Sequence, residues 1–136
     1  MSLKSDPKTW TDPRQLLGLD GELAAKAHLE GAGYRILAHR FRVGRFEVDL
    51  IAERNGLVAF IEVKSRKGTG FGRPAEAVTW GKRREMVRVA KAWEDRAGRR
   101  ADGLVIRFDV VEVMLGSDGA VASVLHMEDA FRPGWR

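Results

Sequence analysis

At 136 residues and 15.2 kDa, the chain is long enough for one compact core and too short for two ordinary domains. Its 44% hydrophobic and 32% charged residues exclude a disordered tail, and the absence of cysteine excludes disulfides, thiolate zinc sites and cysteine nucleophiles together. A formal net charge of +5 favours an anionic partner, and eleven Lys/Arg against four acids between residues 66 and 100 concentrate that charge, leaving −2 for the rest.

No apolar run approaches the roughly 20 residues needed to span a bilayer, and residues 1–13 offer no signal-peptide core. A cytoplasmic protein with no membrane partner is expected, preceded by a flexible lead-in over 1–13 and folded as one domain over 14–136. Residues 14–30 carry Leu16, Leu19, Leu23 and Ala27 at helical spacing and end at Gly31 and Gly33, which predicts a first helix. Three segments rich in Val, Ile, Phe and Leu follow at 34–43, 46–52 and 57–64 and read as consecutive antiparallel strands. Asn55-Gly56 between the last two is a hairpin signal, because both central residues of a type I′ turn need positive φ.

Gly68, Gly70, Gly72 and Pro74 mark a loop that lacks the spacing and terminal Lys-Ser/Thr of a nucleotide-binding P-loop. A long helix is predicted over 75–97, with Val78, Met86, Val89, Ala90 and Trp93 on its buried side and Gly98 at its end. A strand over 104–115, a turn at Ser117-Asp118-Gly119 and a shorter strand over 121–125 complete the order α-β-β-β-α-β-β. The fold class is therefore α/β, a mixed sheet flanked by the two helices.

Counting outward from Asn55-Gly56, Arg54 faces Leu57, Asp49 faces Glu62 and Glu47 faces Lys64. Alternation puts Glu47, Asp49, Glu62 and Lys64 on one face, so that one end of it is wholly ionisable. Opposed carboxylates about 5 Å apart repel unless a cation or an ammonium lies between them. Oxygen donors suit a hard divalent cation, whereas His28, His39 and His126 are far apart and show no paired zinc-ligand spacing. The bland alternative is the solvated face of a hairpin with an ordinary Glu47–Lys64 ion pair.

Gly21-Glu22, Glu47-Val48-Asp49-Leu50-Ile51-Ala52, Phe60-Ile61-Glu62-Val63-Lys64-Ser65-Arg66, Phe71-Gly72, Glu76-Ala77-Val78, Lys82 and Arg107-Phe108-Asp109-Val110 occur in an order that resembles the YraN-type family. That family is similar to archaeal Holliday-junction resolvases within the PD-(D/E)XK nuclease superfamily. The resemblance covers roughly residues 16–131 and implies a restriction-endonuclease-like sheet. It further implies that Asp49, Glu62 and the carbonyl of Val63 bind Mg²⁺ or Mn²⁺, that Lys64 positions or activates water, and that Glu22 completes the catalytic set.

Metal-dependent cleavage of DNA, including branched or junction DNA, is the activity this implies. Resolvase relatives that cut two strands point to a homodimer. Phe46 departs from the pattern, standing where the family usually has glycine.

Glu22 also stands four residues before Lys26, an acid-first spacing worth about 0.3 kcal/mol as a helical pair. Glu47 has a secondary place, beside a metal-bound water or paired with Lys64. Lys82 falls at a motif position near the site. Arg66, Lys82, Arg83, Arg84 and Arg88 are candidate phosphate contacts, or else the solvated face of a basic helix. Trp80 and Trp93 read as core residues of that helix. A nucleic-acid-binding module on a nuclease scaffold is the alternative function, with a regulatory partner whose acidic cluster is a surface feature behind it.

Overall fold

The computed structural model describes residues 13–67 and 78–133. The expected lead-in before Pro13, the glycine-rich loop at 68–72, the Phe71-Gly72 and Glu76-Ala77 motif pieces and the expected helical residues 75–77 lie outside them. The elements run α1 (Pro13–Gly31), β1 (Arg35–Val43), β2 (Phe46–Arg54), β3 (Leu57–Lys67), α2 (Trp80–Ala97), β4 (Val105–Leu115) and β5 (Val121–Phe131), with a short 3-10 turn at Gly98–Ala101. The α/β class and the order α-β-β-β-α-β-β are as the sequence reads. No helix among the described residues is long and apolar enough to cross a membrane.

The five strands form one sheet in the order β1-β2-β3-β4-β5. All neighbours are antiparallel except β3 and β4, which run parallel. That one parallel pair requires a crossover, and α2 supplies it. Asn55 (φ 50) and Gly56 (φ 79) take the positive φ values of the hairpin turn.

α1 covers one face of the sheet, where Ala25 and Leu29 pack with Leu50, Ala52, Ile61 and Val113. α2 covers the other, where Met86 and Val89 pack with Ile51, Phe60, Phe108 and Phe131.

Three boundaries or faces differ from expectation. α2 begins at Trp80 and not at residue 75, because the Thr79 side chain accepts the N–H of Lys82 and caps the helix there. Strand β5 extends through Phe131 instead of stopping at 125, because its pairing with β4 resumes beyond an irregularity and joins Phe131 to Phe108. On α1, Leu23 and Ala27 face solvent while Gly21, Ala25 and Leu29 face the sheet. A Cβ on Gly21 would stand 1.8 Å from Oγ of Ser65, so the small residues let the helix approach.

Candidate active site

The site lies where the sheet splits. β2 and β3 are paired from Arg54↔Leu57 to Leu50↔Ile61. Beyond that point β2 continues on β1, with Phe41↔Val48 and Arg42↔Glu47, while β3 continues on β4 as far as Lys67↔Leu115. The expected register therefore holds up to Leu50 and Ile61, and the ladder does not extend to a Glu47↔Lys64 pair. At the fork, the backbone N–H of Val63 donates to Oδ2 of Asp49 at 2.7 Å, so a carboxylate takes the place of the next ladder bond.

Asp49 and Glu62 meet inside this fork, as the sequence reading places them. Burial, then the adjacent Glu62 carboxyl, pushes the Asp49 carboxyl well above its usual range, against the opposing pull of the Val63 N–H. Glu62 is 5% exposed and has an ammonium group on each side. Lys64 Nζ lies 3.6 Å from Oε2, and Lys82 Nζ lies 3.7 Å from Oε1.

Lys82 also donates to the carbonyl of Glu47 at 3.0 Å and approaches Glu85 at 3.4 Å. Burial pulls its ammonium down, but Glu62, Asp49 and Glu85 outweigh burial and hold its pKa above the usual value. Glu47 thus joins the site through its backbone: its N–H donates to Glu85 at 2.9 Å, and its own Oε2 is buried with no hydrogen-bond partner among the described residues.

Glu22 reaches the same region from α1, and its charge adds to the field that raises Asp49. Both its oxygens are engaged by β1. Oε2 lies 2.6 Å from His39 Nε2 and accepts Arg40 Nε at 3.0 Å, while Oε1 accepts the Arg40 guanidinium at 3.1 Å. Burial pushes this carboxyl up, but the hydrogen bonds from His39 and Arg40 outweigh it and hold the pKa low. His39 and Arg40 lie outside the motif segments, and nothing in their spacing points to Glu22. Adjacent strand residues normally point to opposite faces, and Arg40, next to His39, takes a positive φ (55°) outside the regular strand conformation.

The family model described as "Uncharacterised protein family UPF0102" matches residues 21–113. A UPF0102 protein of Symbiobacterium thermophilum is 43% identical over 115 residues, covering 85% of this chain and 95% of the relative. Others from Chloroherpeton thalassium and Rhodococcus jostii are 38% and 42% identical, each over 85% of this chain and over 92% and 95% of the relative. The chain belongs to the UPF0102 family. This is the YraN-type family that the motifs resemble, and the matched span contains Glu22, Asp49, Glu62, Lys64 and Lys82.

This UPF0102 chain divides its candidate phosphate contacts among three places, the first being the fork itself, where Lys82 lies. Arg66 lies 3.3 Å from Glu112, which β4 presents beside it. Arg83, Arg84 and Arg88 line a separate cleft between α2 and the end of β5. Phe46, the departure from the family pattern, packs against the α2-side core and lies under Arg45 and Arg88 at 5.4 and 5.3 Å from the ring centre. Trp93 packs on Phe60 as a core residue. Trp80 does not: it is 73% exposed at the first turn of α2, although Val78 two residues before it is buried in the core.

Proposed function

We propose that this UPF0102 chain is a metal-dependent nuclease that hydrolyses phosphodiester bonds in DNA, including branched or junction DNA. The observation that carries this reading is the forked sheet, in which Asp49 is forced against Glu62 and two lysines approach Glu62 from either side. Asp49, Glu62 and the carbonyl of Val63 would hold Mg²⁺ or Mn²⁺. When bound, such an ion supplies Lewis-acid stabilisation of the charge that builds on a phosphodiester under attack and makes water more acidic.

The residues fit a hard cation. Their donors are oxygens, the raised Asp49 carboxyl is in a conflict that positive charge relieves, and Glu47 keeps a buried oxygen without a hydrogen-bond partner among the described residues. Among the described residues, no group of three or more His, Asp or Glu side chains forms a ready-made ligand set. A backbone carbonyl and solvent would therefore complete the shell, as is usual for Mg²⁺.

In this reading Lys64, on the more open side of Glu62, orients the attacking water. Lys82 keeps its charge at neutral pH and offsets negative charge on the phosphoryl oxygens. Glu22, held by His39 and Arg40, contributes field and not a free ligand oxygen.

A nucleic-acid-binding module without turnover is favoured by a different observation. The protein's own cations already flank both carboxylates, Lys64 and Lys82 at Glu62 and Arg40 at Glu22. The deciding experiment is cleavage of labelled branched, duplex and single-stranded DNA with Mg²⁺ or Mn²⁺, with Glu62→Gln and Lys64→Ala as controls. Product that disappears in both variants supports the nuclease; salt-sensitive binding without product under either metal supports the module.

A further inference from the structure

The cleft between α2 and the end of β5 has features that neither core packing nor the acidic fork explains. It measures about 430 Å³ and is walled by Trp80, Val87, Phe131 and Pro133. Arg83, Arg84, Arg88, Lys91 and Arg132 also line it, and no acid does among the described residues. Trp80 leaves 73% of its surface in solvent.

Its ring is nevertheless held in place. Thr79 caps the helix immediately before it, and the Arg83 guanidinium lies 4.7 Å from its centre and 5.4 Å from that of Phe131. Arg83 is itself fixed by a 3.1 Å bond from Nε to the carbonyl of Val78. Phe131 is stacked on Phe108 at 5.0 Å. One face of the indole is thus propped by a cation while most of the ring remains accessible.

We propose that this cleft binds an unpaired nucleic-acid strand, with a base stacked on Trp80 and the strand's phosphates on the surrounding cations. The proposal rests on the nuclease reading above and narrows its substrate to DNA with a single-stranded segment beside the cleaved bond. A fixed aromatic platform among positive charges matches a polyanion that carries flat apolar groups, and stacking accepts any base. A duplex has its base faces buried in its own stack and offers none to Trp80. The cleft volume is that of a small-ligand pocket, enough for a base and not for a helix. The cleft and the fork share α2, where Lys82 reaches Glu62 and the next residue, Arg83, supports Trp80.

The test is fluorescence anisotropy of the full chain with a short dye-labelled oligothymidylate and with a duplex of equal length, at one salt concentration in EDTA. Trp80→Ala is expected to weaken single-strand binding about tenfold, the scale of one lost base stack, and to leave duplex binding unchanged. Trp80→Phe should retain most of the affinity. Because the side chain is exposed, neither change threatens the fold. An unchanged single-strand affinity in Trp80→Ala, or equal loss on both DNAs, overturns the proposal, and metal-dependent cleavage by the same wild-type sample would leave the nuclease reading standing. Selective loss with no cleavage under Mg²⁺ or Mn²⁺ supports the cleft and overturns the nuclease. A wild-type chain that binds neither DNA overturns the cleft proposal, and one that also yields no product under Mg²⁺ or Mn²⁺ overturns the nuclease reading with it.

Discussion

Val63 donates its backbone N–H to Asp49 at the point where the β2–β3 ladder ends, and this one bond holds a carboxyl that burial and Glu62 otherwise oppose. A raised acid pKa means that the folded chain binds this proton more tightly than the unfolded chain. Metal-free stability should therefore fall as pH rises above the ordinary value of 3.8 and through the raised one.

Asp49→Asn keeps an acceptor for Val63 and removes the charge. At pH 7 in EDTA it should raise the melting temperature by roughly 3–5 °C, equivalent to about 1 kcal/mol. Added Mn²⁺ should stabilise the wild type and not the variant. Thermal melts with and without Mn²⁺ check both statements, and an Asp49→Asn protein that Mn²⁺ still stabilises would remove Asp49 from the metal site.

Lys64 and Lys82 both approach Glu62, but they differ in their other partners. Lys82 is already engaged by the Glu47 carbonyl and Glu85, whereas Lys64 is more open to solvent. Lys64→Ala should lower single-turnover cleavage about a hundredfold, the scale of losing one preorganised charge. Lys82→Ala should cost roughly a tenth of that factor. A larger loss in Lys82→Ala would make Lys82 the ammonium that acts on the phosphate.

The parts of this arrangement legible in the sequence are those fixed by local rules. Asn55-Gly56 sets the hairpin turn and therefore the register as far as Leu50 and Ile61, which is why Asp49 and Glu62 could be paired in advance. The fork itself was not legible, because parting β2 from β3 depends on Asp49 capturing an N–H from a strand committed to β4. Nor was the hold of His39 and Arg40 on Glu22, where Arg40 leaves the regular strand conformation. The α1 surface misleads for a related reason: Leu23 is the larger side chain, yet Gly21 and Ala25 take the contact because close approach favours small residues there.

Asp109 should be the principal acid-sensitive support of the β4–β5 side. It is fully buried and is bonded by Arg107 at 2.8 and 2.7 Å, by His126 Nε2 at 2.7 Å and by the N–H of Asp129 at 3.0 Å. Burial pushes its carboxyl up, but these partners outweigh burial and hold it below the usual range. Its stabilisation is therefore complete above the ordinary pKa of 3.8 and is lost as pH falls through the lowered value. Asp109→Ala leaves Arg107 and His126 facing an empty buried site and should cost about 3–5 kcal/mol in urea unfolding at pH 7. It should also flatten the acid limb of the stability curve; an unchanged limb would assign acid sensitivity to another carboxylate.

Gly21 tests whether close packing of α1 on β3 positions Glu22. Alanine normally stabilises a helix interior by about 1 kcal/mol over glycine, but a Cβ here would stand 1.8 Å from Ser65 Oγ and 3.1 Å from Ser65 Cβ. Overpacking of this kind costs about 1–3 kcal/mol, so the clash should win and Gly21→Ala should destabilise the chain. Ser65→Ala removes the nearer atom and leaves the one at 3.1 Å, which a small shift can accommodate. In that background Gly21→Ala should be neutral or stabilising, giving a coupling of about 1–2 kcal/mol in a double-mutant cycle. The two changes being additive in urea unfolding would mean that α1 moves away from β3 at little cost. Glu22 would then owe its position to His39 and Arg40 rather than to the helix contact.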